Sequence, residues 1–195
     1  MDQPQTPHSW IRPVLIWILV SLGVIFLYLL VMARNLDAIS DIDALDYAQV
    51  ARNLAEGNGF TTDFIKPLSL ARFKELDHHP DLVFPPLHPW VTSLFMRVMG
   101  ATKQAVALAC GLPFLVSLLV TYLLGTRLFD RRVGMLGAAL FGVNLWVLRF
   151  SFSGLEVCLL GLWVTLLLWV LYTLATERAR ALPMAAVAGL LLGLI

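Results

Sequence analysis

Long runs without Asp, Glu, Lys or Arg alternate with short polar joints along most of this chain. A helix needs roughly 20 apolar residues to cross ~30 Å of hydrocarbon. Pro13–Ala33 and Gln104–Thr126 meet that length free of charge, and so does Val157–Thr176. Val133–Leu148 is shorter, but Arg132 and Arg149 at its ends can snorkel to the headgroups. Ala181–Ile195 opens a further run. The pattern predicts spans at about 13–33, 104–126, 133–148, 157–176 and 182–195. The first exceeds the usual h-region of a signal peptide, and the residues after it make a poor cleavage site, so a retained anchor is expected. The last run ends without a charge, an aromatic anchor or a polar tail, so the chain reads as the N-terminal part of something longer.

The intervening segment, about 34–103, is polar and holds a second kind of pattern. From Ala44, apolar residues recur at helical spacing: Ala44, Tyr47, Ala48, Ala51, Leu54 and Ala55 share one face, with Asp46, Gln49, Asn53 and Glu56 opposite. Ser40 or Asp41 can cap the start, and Gly57 or Gly59 can end it. Further on, Leu82–Met96 is too short to span and is broken by Pro85, Pro86 and Pro89. Trp90, Leu94 and Val98 then share a side, which predicts an interfacial helix with Trp90 at headgroup level. The fold class expected is all-α: a polytopic transmembrane helix bundle with a long outer loop carrying short amphipathic helices.

Composition agrees. Apolar residues make up 59% of the chain and charged ones 14%. That excludes intrinsic disorder and disfavours a water-soluble enzyme of this size. A net charge of +1 points to no nucleic acid. Orientation follows from the short joints. Arg12, the joint with Arg127, Arg131 and Arg132, and the joint with Arg178 and Arg180 fall on one side if every span crosses. Positive short loops are cytoplasmic. The N-terminus is therefore expected in the cytoplasm, and segment 34–103 on the outer face of the plasma (inner) membrane.

The outer loop carries the candidate chemistry. Asp37, Asp41, Asp43 and Asp46 crowd into ten residues. Asp43 falls in the first helical turn, where the dipole favours a carboxylate by ~0.3–1 kcal/mol. A purely structural role there and a role as general base or metal ligand both fit the residues. Glu156 lies at the mouth of a span, near Arg149. An ion pair between them is one reading. A functional acid and a phosphate-binding guanidinium are the other. His78, His79 and His88 have no zinc-ligand spacing and are expected to face water. Lys66, Arg72 and Lys74 can attract a phosphate or pyrophosphate headgroup, although a solvated basic face is the plainer reading for most of them. Cys110 and Cys158 read as small buried hydrophobes. Gly189 and Gly193 have the spacing of close helix packing.

Asp43-x-x-x-Tyr47 followed by Ala51-Arg52-Asn53-Leu54-Ala55-x-Gly57-x-Gly59-Phe60 resembles the first outer loop of the GT-C superfamily of membrane glycosyltransferases. Protein O-mannosyltransferases and lipid A aminoarabinose transferases belong there. Pro85-Pro86-Leu87-His88-Pro89-Trp90 is similar to the proline-led start of the family's juxtamembrane helix. Arg127–Arg132 resembles its basic cytoplasmic turn, and Arg149-Phe150-Ser151 with Gly154 and Glu156 its second outer loop. The resemblance implies transfer of a sugar from a polyprenyl-phosphate-linked donor to an acceptor on the outer face. It implies Asp43 as catalytic base, Glu156, Asp41 and Asp46 as groups orienting acceptor or metal, and Arg149 on the donor phosphate. Members differ in metal use, so the cofactor stays open, with a divalent cation, Mg or Mn, as the candidate. One departure stands out: the Asp-Glu pair of several members is Asp43-Ala44 here. The implied partners are the lipid donor, membrane lipids, and further C-terminal helices or a partner subunit. A non-catalytic remnant or scaffold is the alternative. A transporter of lipid-linked substrates fits less well, because it would place ionisable groups near mid-membrane.

Overall fold

A computed structural model describes Gly23, Leu27, Tyr28 and residues 41–64, 67, 71–73, 79–176 and 181–194. The chain divides into two units, 1–35 and 36–195. Gly23, Leu27 and Tyr28 of the first unit are helical. The span expected at 13–33 lies almost wholly outside the described residues, as do Arg12, Asp37, Lys66, Lys74, His78, Arg178 and Arg180. The second unit holds seven helices among its described residues. They are α1 (Ile42–Glu56), α2 (Leu87–Met99), α3 (Lys103–Leu128), α4 (Arg131–Gly142), α5 (Leu145–Phe150), α6 (Val157–Thr176) and α7 (Ala181–Leu194).

Helix α1 starts and stops on local signals. The Asp41 side chain caps it by accepting from the Asp43 N–H at 3.2 Å. Gly57, at φ 89°, ends it, and its N–H returns to the carbonyls of Asn53 and Leu54. The buried face is Ala44, Tyr47, Val50, Ala51 and Asn53. Asn53, expected on the polar side, is inside because its amide is satisfied there. It donates to Thr61 O at 3.1 Å and to Asp63 Oδ1 at 2.9 Å. That bond, with Gln49 and the neighbouring Arg52, holds the Asp63 carboxyl below its ordinary range. The same turn leads into β1 (Thr61–Thr62), which pairs antiparallel with β2 (His79–Pro80). His79 was expected in water. It is fully buried in this ribbon, edge-on to Phe73 at 6.4 Å.

Helix α2 places Trp90, Leu94 and Val98 outward, as an exposed apolar stripe. Its other face buries His88, Thr92, Ser93 and Met96. Met96 packs with Ala51 of α1 and with Ala105 and Val106 of α3. These contacts tie α1 and α2 to the first turn of α3.

Helices α3 and α6 are long and apolar enough to cross a membrane. At about 1.5 Å per residue they measure about 39 and 30 Å. A core helix of a soluble protein is mostly buried, yet only 22% of the most apolar window of α6 is. The two run the same way. Cys110 Sγ of α3 meets Leu155 O just before α6. At the far ends Tyr172 Oη donates to Arg127 O at 3.3 Å, and the Arg127 guanidinium lies over the Trp169 and Tyr172 rings. The basic turn therefore sits at one end of the pair, and α1, α2 and the loop before α6 at the other.

The return strand of the bundle differs from the expectation of one span at 133–148. Helix α4 stops at Gly142, and Asn144 caps a separate six-residue helix, accepting from the Trp146 and Val147 N–H groups at 3.0 and 3.3 Å. An asparagine side chain offers the backbone this alternative to continuing a helix. At about 18 Å, α4 is too short to span by itself. Close packing lies at its start. A Cβ on Gly134 would fall 2.6 Å from Tyr122 O, and one on Gly125 would fall 2.8 Å from Gly134 Cα. Among the described residues, nothing lies within 4 Å of a Cβ at Gly189 or Gly193, the pair whose spacing suggested close packing. Helix α7 packs through Ala188 and Leu191 on Val170, with Trp163 and Leu167 beside them.

Candidate functional site

Three separate stretches of sequence meet where α1, α2 and α6 begin. Gly154, in the loop before α6, is the hinge of this meeting. Its φ is +86°, and a Cβ there would lie 3.1 Å from both Ala44 Cβ and Val106 Cγ1. Only a glycine accepts that backbone and that approach without strain. The loop therefore lies directly on the start of α1. Ala44, which replaces the Glu of the resembled pattern, is fully buried under it.

Tyr47, one turn after Asp43, reaches across this junction. Its hydroxyl donates to Glu156 Oε2. Its ring sits 4.4 Å from Phe84 and edge-on to His88 at 5.2 Å. Burial raises the pKa of this hydroxyl, and so do its bond to Glu156 and the nearby charges of Glu156, Asp43 and Asp81. Tyr47 is therefore a fixed donor, and its hydroxyl is where the fields of three carboxylates converge.

His88 is held from the other side. Its Nε2 lies 2.9 Å from Gly154 O. A carbonyl only accepts, so Nε2 carries the proton. Burial lowers the pKa of the imidazole, partly offset by that bond and by the charge of Glu156. The ring is neutral at pH 7, and Nδ1 is left as an acceptor. Between the start of α2 and the first two turns of α6 lies a cleft of about 160 Å³, lined by Pro85, Leu87, His88, Glu156, Leu159, Leu160 and Trp163.

The expected site residues divide accordingly. Asp43 is exposed in the first turn of α1, and its charge reaches the Tyr47 hydroxyl. Glu156 is half-buried on the cleft. Asp41 is the helix cap, and Asp46 lies half-buried one turn beyond Asp43. Arg149 is exposed on α5 and lies over the Trp146 ring at 5.8 Å. It forms no ion pair with Glu156 among the described residues. Among those residues, no three His, Cys, Asp or Glu side chains gather as metal ligands would. Cys110 and Cys158 are free and buried.

Sequence reasoning missed three parts of this junction. His88 is buried rather than solvated. Asp81, at 6% exposure, adds a carboxylate. Tyr47 was read as a packing residue and is a hydrogen-bond donor. The flanking prolines and Trp90 signalled a buried His88, since a histidine inside an apolar run commonly packs. Nothing local marked Asp81, which reaches Tyr47 only through the fold.

The model of the dolichyl-phosphate-mannose-protein mannosyltransferase family matches residues 79–194, more than half of the chain. The chain belongs to that family. No curated protein and no solved structure matches it. The matched region carries His88, Arg149, Gly154 and Glu156, whereas Asp41, Asp43, Asp46 and Tyr47 precede it. Family, helix content and the two long apolar helices together define a helix-rich, membrane-associated protein related to glycosyltransferases.

Proposed function

We propose that this protein is a membrane glycosyltransferase. It moves a sugar from a polyprenyl-phosphate-linked donor to a hydroxyl or amine acceptor on the outer face. One observation carries the reading: the acidic start of α1, the His88 end of α2 and the Glu156 loop converge at one end of α3 and α6, opposite the basic turn at Arg127–Arg132.

The acceptor oxygen or nitrogen attacks the anomeric carbon as the bond from that carbon to the phosphate oxygen breaks. The acceptor proton passes to the Asp43 carboxylate. The bonding electrons leave on the polyprenyl phosphate, with inversion at the anomeric carbon. The charge that develops on the phosphate needs a cation, and Arg149 is the group assigned to it. Its guanidinium, positioned by the Trp146 ring, stands on the helix that precedes the Glu156 loop. The Tyr47–Glu156 bond fixes the junction, and both Glu156 and Asp46 orient the acceptor.

This reading places segment 34–103 outside and the N-terminus in the cytoplasm. Single cysteines at two exposed sites, Asn58→Cys and Arg132→Cys, test that placement with a membrane-impermeant maleimide on intact cells. The native cysteines are buried and give little background. The Asn58→Cys protein is labelled without permeabilisation, and the Arg132→Cys protein only after it. The reverse order would remove the outer-face reaction.

A further inference from the structure

We propose that the basic turn between α3 and α4 holds one anionic phospholipid, with its phosphate at Arg127, Arg131 and Arg132 and an acyl chain along the exposed apolar line of α4. This goes beyond sugar transfer and does not rest on it, because the turn lies at the opposite end of α3 and α6 from the candidate site.

The first observation is charge. Residues 127–132 hold three arginines and one aspartate, a net charge of +2. The aspartate is engaged locally: Asp130 caps α4 by accepting from the Val133 N–H at 2.8 Å. Arg131 and Arg132 open α4, and its first turn holds no acidic residue. The helix dipole disfavours cations there, so the helix alone does not account for them. The joint that follows α6 in sequence adds Arg178 and Arg180 against Glu177. A phosphate diester complements this charge, and guanidinium forks match its oxygens.

The second observation is a support set before any ligand arrives. The Arg127 guanidinium lies 5.6 Å from the centre of the Trp169 ring and 5.7 Å from that of Tyr172. The Tyr172 hydroxyl donates to Arg127 O at 3.3 Å, so the end of α3 is fastened to the end of α6. Gly125 and Gly134 bring the backbones of α3 and α4 together beside the turn. The three arginines are thus gathered on packed helix ends, which lowers the ordering cost of binding.

The third is the apolar line. Phe129, inside the turn, is 73% exposed. Arg132, Leu136 and Leu140 stand four residues apart and share one face of α4. Leu136 and Leu140 are 62% and 61% exposed. From Arg132 this face runs about 12 Å to Leu140, a cation first and hydrocarbon after it. Phosphate and then acyl chain is the same order. A free phosphate would leave the line uncovered. A soluble acidic protein would have to enter the hydrocarbon beside α3 to reach Leu140. A zwitterionic lipid brings a cation of its own to the arginines. An anionic phospholipid satisfies both parts.

The test titrates the wild-type chain, in a neutral detergent, with phosphatidylglycerol or with phosphatidylcholine of the same acyl chains. Bound lipid is counted by native mass spectrometry. The first phosphatidylglycerol binds at least about tenfold more tightly than the first phosphatidylcholine. Arg131→Gln and Arg132→Gln, both at exposed side chains, each weaken phosphatidylglycerol by about fivefold and leave phosphatidylcholine unchanged. Arg72→Gln removes the same charge from an exposed site in the outer loop and changes neither lipid. Equal wild-type affinity for the two lipids would overturn the proposal. So would an equal loss in Arg72→Gln, which would make net charge the cause and not the turn. Displacement of phosphatidylglycerol by inorganic phosphate alone would also overturn it, by removing the acyl chain from the recognition.

Discussion

Replacing Asp43 with Asn lowers sugar transfer by about 10²–10⁴-fold, the usual contribution of a positioned general base. The substitution is nearly isosteric and removes only the charge and the proton-accepting oxygen. Helix α1 survives it, because the cap is Asp41 and the Asp43 backbone N–H that Asp41 holds is unchanged. Loss of a carboxylate from the first turn costs about 0.3–1 kcal/mol, too little to unfold the helix. Glu56→Gln serves as the control, an equally conservative change at an exposed carboxylate in the last turn of the same helix. Transfer of labelled sugar from polyprenyl-phosphate mannose, measured in membranes with equal amounts of inserted protein, separates the two variants. Wild-type transfer by the Asp43→Asn protein would remove Asp43 from the mechanism.

The second large effect falls on a residue with no chemistry of its own. Gly154→Ala places a Cβ 3.1 Å from Ala44 and Val106 at a φ of +86°. A non-glycine residue in such a backbone costs about 1–3 kcal/mol. For a domain of this size each kcal/mol lowers the melting temperature by about 2–4 °C. Strain is relieved by moving the loop off α1, which pulls Glu156 from Tyr47 and the Gly154 carbonyl from His88. The loop also covers Cys110, whose Sγ meets Leu155 O. A thiol-reactive fluorophore, followed on heating in detergent, therefore reports the change as earlier exposure of Cys110. Gly137→Ala is the matching control, because among the described residues nothing lies within 4 Å of a Cβ on that helical glycine. An unchanged profile for Gly154→Ala would show that the loop does not lie on α1.

Local features of the sequence foretold much of this fold. Asp41 and Gly57 delimit α1, and the run 157–176 is a helix from end to end, because caps and uninterrupted apolar runs are encoded within a few residues. The break at Gly142–Asn144 was harder to see. Asn144 is uncharged and sits inside an apolar run, so a search for charges passes over it, and only its side-chain capping bonds reveal a new helix. Burial of Asn53 was hidden for a related reason: its partners Thr61 and Asp63 come from the following turn, and helical spacing does not include them. The small-residue contact was expected from spacing at Gly189 and Gly193, yet it forms at Gly125 and Gly134, which lie on two helices and share no local motif.

The candidate site was legible in part. Asp43 and Glu156 could be singled out from their places at a helix start and a span mouth. Their relation could not, because it runs through Tyr47 and closes over more than a hundred residues. The glycine that allows it, Gly154, looks like any loop glycine until the approach of Ala44 is seen. Arg149 shows the converse. Its proximity to Glu156 in sequence suggested an ion pair, but α5 turns it onto Trp146 instead.

Photocrosslinking tests the central claim most directly. A polyprenyl-phosphate sugar carrying a diazirine on the sugar is bound to the protein in nanodiscs, irradiated, and the labelled peptides are mapped by mass spectrometry. The account predicts label in 41–47, 85–88 and 154–163, competed away by the unmodified donor. Label confined to the basic turn at 127–132, or label that the donor does not displace, would contradict it.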